Sequence, residues 1–127
     1  MIAIDTSALM AIAAREPAAD ACVTRLMSDT ELLISAGTLA EALIVAARRN
    51  LQAEMDRLVR DLQWQVVPVT QATAVAMAKA YATWGKGVHP AALNYGDCFA
   101  YEVAQRYSCP LLFVGDDFSR TDVRSAL

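Results

Sequence analysis

Met1 to Ile4 is an unbroken apolar run closed by Asp5, the pattern of a short strand buried on both faces. Thr6 or Ser7 can cap a helix whose apolar positions include Leu9, Ile12 and Ala13, and Glu16-Pro17 stops it. A second helix is predicted from near Pro17 to about Asp29, with Ala19, Cys22, Val23 and Leu26 inward. Glu31 to Ser35 reads as the second strand, and Gly37 and Thr38 open a helix that runs through Arg49. Beyond Asn50, the spacing of Leu51, Met55, Leu58, Val59 and Leu62 predicts the most regular amphipathic helix of the chain. Val66 to Val69 reads as a third strand and Thr70 as a cap, followed by a helix with Met77, Tyr81 and Trp84 as its buried stripe. Gly85 to Leu93 holds two glycines, a proline and the lone histidine, and reads as a loop. Asn94 caps a helix from Tyr95 to about Arg106; Leu111 to Val114 is the last strand, and Gly115 turns the chain into Asp116 and Asp117.

Strands alternating with helices predict an α/β fold with a mainly parallel sheet covered on both faces. At 127 residues the chain fits one domain, 1–127, with no repeat or linker inside it. The apolar share of 56% is high, yet no apolar run reaches the roughly 18 residues that span a bilayer. A cytoplasmic location is the expectation, since Met1 leads straight into a strand without a secretory leader. Cys22, Cys98 and Cys109 are odd in number and never approach C-x-x-C spacing, which fits reduced thiols. With His89 the sole histidine, a multi-histidine metal centre is excluded. The net charge of -3 argues against a protein that coats nucleic acid through a broad basic face, though not against a local basic rim. Arg15, Arg48, Arg49, Lys86, Arg120 and Arg124 follow helix ends or lie in loops and are the rim candidates. Each also has a local role open to it; Arg48 and Arg49 meet the negative end of their own helix.

Candidate chemistry lies with the acids. Asp5, Glu41, Asp97 and the pair Asp116 and Asp117 each stand at a strand end or a helix start. In open α/β sheets these places converge outside the carboxyl ends of the strands. Singly, each acid has an ordinary explanation: Asp5 as a helix cap, Glu41 in a capping box with Thr38, Asp97 in a first helical turn, and Asp116 and Asp117 as turn residues. Gathered together, they would repel and raise one another's pKa values unless a cation offset them. Oxygen ligands without histidine or thiolate suit Mg²⁺ or Mn²⁺, and the chemistry such a site supports is hydrolysis of a phosphate ester. Ser7 and Asn94 are neutral groups near the same edge, suited either to capping or to orienting a carboxylate.

Four segments carry a family resemblance: Ile4-Asp5-Thr6-Ser7-Ala8-Leu9, the helix around Glu41, His89 to Tyr101 (HPAALNYGDCFAY) and Leu111 to Phe118 (LLFVGDDF). Together they resemble a PIN-domain ribonuclease toxin of the VapC type, over essentially the whole chain. The resemblance implies a three-layer PIN-like domain, a central mainly parallel sheet flanked by helices. It implies Mg²⁺- or Mn²⁺-dependent endoribonuclease activity, a homodimer, an RNA substrate and a cognate VapB-type antitoxin. Position by position, Asp5, Glu41 and Asp97 match the family's first three acids and Asp116 the fourth, with Asp117 a second candidate for that role. Asp5, Asp97 and Asp116 are then the metal residues, and Ser7, Asn94 and Asp117 support them. Many PIN domains place Thr or Ser shortly before the last acid; Val114 and Gly115 stand there instead.

Other readings fit less well. A receiver-like domain wants an acidic pair after its first strand, and a haloacid-dehalogenase-like phosphatase wants an acid at position 7, where Ser7 stands. A PIN fold without catalysis, used for binding or dimerisation, is the remaining alternative. The high apolar content predicts that helix surface in the amino-terminal half is covered by another chain. The Gly85 to Leu93 segment is a candidate RNA contact.

Overall fold

The structure, a computed structural model, describes residues 1–127. Its elements are β1 (Ile2–Ile4), α1 (Thr6–Ala13), α2 (Ala19–Ser28), β2 (Leu32–Ser35), α3 (Ala36–Arg48), α4 (Gln52–Asp61), β3 (Trp64–Val67), α5 (Gln71–Trp84), α6 (Tyr95–Arg106) and β4 (Leu111–Leu112). The strands form one parallel sheet in the order β3-β2-β1-β4. The fold is thus α/β with the expected parallel sheet between helical layers. The strand order reverses at β1, which pairs with β2 on one side and β4 on the other. Such a switch point leaves a crevice at the carboxyl ends of the strands.

Alternation along the short strands divides the core between the faces of the sheet. Ile2, Ile4, Leu32 and Ile34 pack with Leu9, Leu26, Ala42 and Met55 beneath α1 to α4. Ala3, Leu33 and Leu111 pack with Met77, Val103 and Phe118 beneath α5 and α6. No helix is long and apolar enough to cross a membrane.

Several boundaries differ from the sequence expectation. The third strand is Trp64–Val67 rather than Val66–Val69, because Pro68 has no N–H for the ladder and the pairing stops before it. The last strand ends at Leu112 rather than Val114; the Val114 N–H leaves the ladder and donates to Ser7 Oγ at 3.0 Å. Helix α2 starts at Ala19, and its Val23 is exposed instead of inward, leaving Cys22 and Leu26 as the buried positions. In α5 the buried stripe is Thr73, Met77 and Ala80, with Tyr81 outside it. Helix α3 begins straight from β2, capped by Ser35, whose Oγ accepts from the Gly37 N–H at 3.2 Å. Thr38 is therefore fully buried inside the helix and forms no capping box with Glu41. Helix α1 is capped by Asp5 rather than by Thr6 or Ser7.

The loop expected at Gly85 to Leu93 is pinned at its base. Leu93 N–H donates to the Trp84 carbonyl at 3.0 Å and Lys86 N–H to the Leu93 carbonyl at 2.9 Å. His89 Nδ1 accepts from the Ala91 N–H at 3.0 Å, and its ring meets Trp84 edge-on at 4.8 Å. The three cysteines are free and buried.

Candidate active site

Asp5 leaves β1 at the switch point and turns the chain into α1. Its Oδ2 accepts from the Ser7 N–H at 3.0 Å and from Ser7 Oγ at 2.6 Å. The same Ser7 Oγ accepts from Val114 N–H, so one hydroxyl ties Asp5 to the segment leading to Asp116 and Asp117. The other Asp5 oxygen, Oδ1, is buried with no partner. Burial pushes this carboxyl up to about 6, against the lowering effect of the Ser7 hydrogen bonds, and the Glu41 charge adds to the rise.

Asp97 enters from α6. Asn94 caps that helix: its side-chain oxygen accepts from the Asp97 N–H at 2.9 Å, while Asp97 Oδ2 accepts from the Asn94 N–H at 3.0 Å. This reciprocal box fixes the carboxylate at the helix start. Burial raises Asp97 to about 7, opposed by the Asn94 hydrogen bond and reinforced by the charges of Asp5, Asp117 and Glu41. Asp5, Glu41 and Asp117 thus all lie within electrostatic reach of Asp97, and Glu41 within reach of Asp5.

Glu41 projects from α3, and its Oε1 accepts from Thr6 Oγ1 at 2.6 Å. The sequence offers Thr6 as a helix cap, and the structure gives its hydroxyl to Glu41 instead. Gly96 carries no sequence expectation. A Cβ on Gly96 would run into Glu41 Oε2, and one on Gly37 would run into the Phe99 ring. Both glycines thus let α3 and α6 approach at the crevice. A glycine in the first turn of a helix costs roughly 1 kcal/mol relative to alanine, and that local misfit was the available signal.

Asp116 and Asp117 are exposed. Asp117 acts on Asp97, whereas Asp116 is not among the groups that shift it; the Asp116 carbonyl instead accepts from Ser119 in a turn. Both acids line a cavity of about 520 Å³ with Pro90, Ala92 and Arg120, so part of the 85–93 segment lies beside them. Of the rim candidates, Arg120 lines this cavity, while Arg124 donates to the Ser108 carbonyl at 2.9 Å.

The acid cluster is looser than four converging ligands. No group of three or more His, Cys, Asp or Glu side chains is drawn close enough to form a ready cage for an ion. Repulsion between uncompensated carboxylates favours this spacing, and each of Asp5, Glu41 and Asp97 spends one oxygen on a hydrogen bond of its own. The donor set nevertheless fits a hard cation in kind: it is all oxygen, and one buried carboxylate oxygen is left over. Mg²⁺ is ordinarily held by one or two carboxylates with waters and substrate phosphates, so two buried aspartates suffice.

A parallel sheet with acids at its switch point defines a class, and sequence relationships narrow it. The profile of the PIN domain family matches residues 2–124. Ribonuclease VapC30 of Mycobacterium tuberculosis is 42% identical, with 94% of each chain covered. Ribonuclease VapC42 of the same organism is 39% identical, with 97% of each covered. The chain belongs to the VapC ribonucleases of the PIN-domain family. Among solved structures, its fold is similar to that of M. tuberculosis VapC20, a toxin that cleaves the sarcin-ricin loop. The TM-score there is 0.76 at 16% identity, over 98% of this chain and 99% of that one. It is also similar to a chain of a toxin-antitoxin complex from Klebsiella pneumoniae, with TM-score 0.74 at 15% identity over 100% and 98% of the two chains.

Proposed function

We propose that this protein is a Mg²⁺- or Mn²⁺-dependent endoribonuclease, the toxin of a toxin-antitoxin pair, which hydrolyses RNA phosphodiesters at the crevice beside β1. The observation that carries the reading is the burial of Asp5 and Asp97 at one switch point, with an Asp5 oxygen unpartnered. Capping occupies one oxygen of each carboxylate, and since desolvation opposes ionisation of both, burying the pair at one switch point favours a further use for their charge. Relatives named as VapC ribonucleases, at 39% identity or better, support RNA as the substrate.

Asp5 and Asp97 would hold the cation, with Glu41 and Asp117 completing the negative surround through water. Asp117 is preferred over Asp116 as the fourth acid because it reaches Asp97 electrostatically. A hard divalent cation at this place supplies Lewis-acid polarisation of a phosphodiester and lowers the pKa of water. Ser7 fixes the Asp5 carboxylate and keeps the Asp117 segment in register with it. Thr6 orients Glu41, and the Asn94 box aims Asp97. Arg120, beside Asp117, offers a positive group to an RNA phosphate.

Two partners follow from the same reading. A VapB-type antitoxin would cover apolar helix surface and bring a basic side chain to the acids, and two copies of the chain would form a homodimer. The toxin-antitoxin complex with a similar fold supports the first of these.

The test is cleavage of a mixed structured RNA pool by antitoxin-free protein in Mg²⁺ or Mn²⁺, with EDTA and Asp97→Asn as controls. Asparagine keeps a side-chain oxygen for the Asn94 N–H, so the helix cap survives while the charge goes. Defined fragments that vanish in both controls are expected, with a loss of at least about a hundredfold in the variant. Absent cleavage, with no metal binding by calorimetry, would instead leave a PIN fold used for binding alone.

A further inference from the structure

A cavity of about 580 Å³ opens between α5 and the start of α6, apart from the acidic crevice but adjoining it. Its walls include Tyr81, Tyr95 and Phe99, with Lys86 and Asn94 among mostly apolar neighbours. We infer that it receives one unstacked nucleobase of the RNA strand being cut, and so sets base preference next to the scissile phosphate. The inference rests on the ribonuclease reading given above.

Continuity is the first argument. Asn94 lines the cavity and also caps the helix at Asp97, so a nucleotide whose base lies in the cavity has its backbone beside the acids. The second is the aromatic wall. The Phe99 ring lies over Gly37 and the Tyr81 ring over Gly85, each against backbone where a Cβ would clash. Tyr95 meets Phe99 edge-on at 5.1 Å and remains 73% exposed, so most of its ring surface is open. Single-stranded RNA is recognised by stacking splayed bases on such rings.

Polar groups supply the rest. Lys86 is the one charged residue of the lining and is exposed, matching a phosphate of the strand that enters. The Asn94 side-chain oxygen is committed to the Asp97 N–H, while its NH₂ group makes no hydrogen bond within the protein. Its donors suit a base that presents carbonyl or ring-nitrogen acceptors. The volume falls in the range of about 300 to 1,000 Å³ typical of small-molecule sites, and a concave site walled by aromatic rings matches one base in size and in stacking surface.

Two measurements test this on the full-length, antitoxin-free protein. In EDTA, a short single-stranded RNA carrying the fluorescent base aminopurine at each position in turn is titrated with wild type, Tyr95→Ala and Tyr95→Trp. Wild type and Tyr95→Trp are expected to quench one position, and Tyr95→Ala to lose that quench with about tenfold to a hundredfold weaker binding. In Mg²⁺ or Mn²⁺, a randomised single-stranded RNA pool is cut and sequenced. Wild type should favour one class of base at one place beside the cut, and Tyr95→Ala should still cut but with that preference flattened. Equal base profiles for wild type and Tyr95→Ala overturn the inference while leaving the ribonuclease reading intact. A wild type that cuts no RNA overturns that reading and the inference with it. If Tyr95→Ala changes oligomeric state and keeps the wild-type profile, the cavity belongs to a second copy of the chain, and the inference fails.

Discussion

Burial of Asp5 and Asp97 opposes their ionisation more than their hydrogen bonds favour it. Their carboxyls sit at about 6 and about 7 in the folded chain, against roughly 3.9 when unfolded. The folded protein therefore holds protons that the unfolded chain has already released. Stability is greatest below the unfolded value and falls as pH rises through the folded ones. In EDTA, the Tm is expected to drop between about pH 4 and about pH 7, with a shallower drop in Asp97→Asn. Excess Mg²⁺ should offset the drop in wild type by mass action, by about 2.7 kcal/mol at a hundred times the Kd. A Tm that rose across that range without metal would mean that the acids are stabilised by something other than protons or a cation. Glycine matters at the same scale. In Gly96→Ala, up to about 1 kcal/mol of helix propensity is gained, while the new methyl displaces the Glu41 carboxylate. Thermal stability should change by no more than about 1 kcal/mol, the helix gain being set against the Thr6–Glu41 hydrogen bond, and RNA cleavage should fall about tenfold to a hundredfold. Unchanged cleavage would remove Glu41 from the machinery.

Between elements, α5 and α6 are joined by a polar tie away from the crevice. Glu102 is buried, and its Oε1 pairs with Arg106 at 2.5 Å; Arg106 Nη2 also donates to Thr73 Oγ1 at 3.0 Å. The second Glu102 oxygen has no partner. Arg106→Ala leaves a buried carboxylate uncompensated, and because the guanidinium is half-exposed the expected cost is about 1 to 3 kcal/mol. Adding Glu102→Leu should recover most of that loss in denaturant unfolding, as removal of both charges is far cheaper than removal of one. Additive losses in the double variant would show that the pair is not coupled.

Across the whole molecule, exposed apolar side chains mark where another chain would lie. Val23 and Met27 stand four residues apart on α2, on one face, and Met27 is 82% exposed. Under the toxin reading, this face near the amino terminus takes part of the antitoxin's apolar segment. Met27→Glu is expected to weaken antitoxin binding by about tenfold or more, the scale of one buried apolar side chain, with cleavage by the free toxin unchanged. Full affinity in isothermal titration would move the antitoxin to another surface.

Periodicity and capping chemistry alone made the parallel α/β layering, the helix start at Asn94 and the acidic positions Asp5, Glu41 and Asp97 legible, because each is a local pattern of a few residues. Where strands ended was decided by neighbours: Pro68 stops β3, and the claim of Ser7 on the Val114 N–H cuts β4 short. The capping box expected at Thr38 and Glu41 gave way because α3 starts one turn earlier from β2, and that freed Glu41 to meet Thr6 across the crevice. The reach of Asp117 to Asp97, the pairing of Gly96 with Glu41 and the cavity beside Asn94 depend on segments far apart in sequence. Local sequence sets which residues can cap, turn or bury. Only tertiary packing sets which charges share a crevice and which aromatic faces remain open, since those distances arise from elements the chain brings together after it folds.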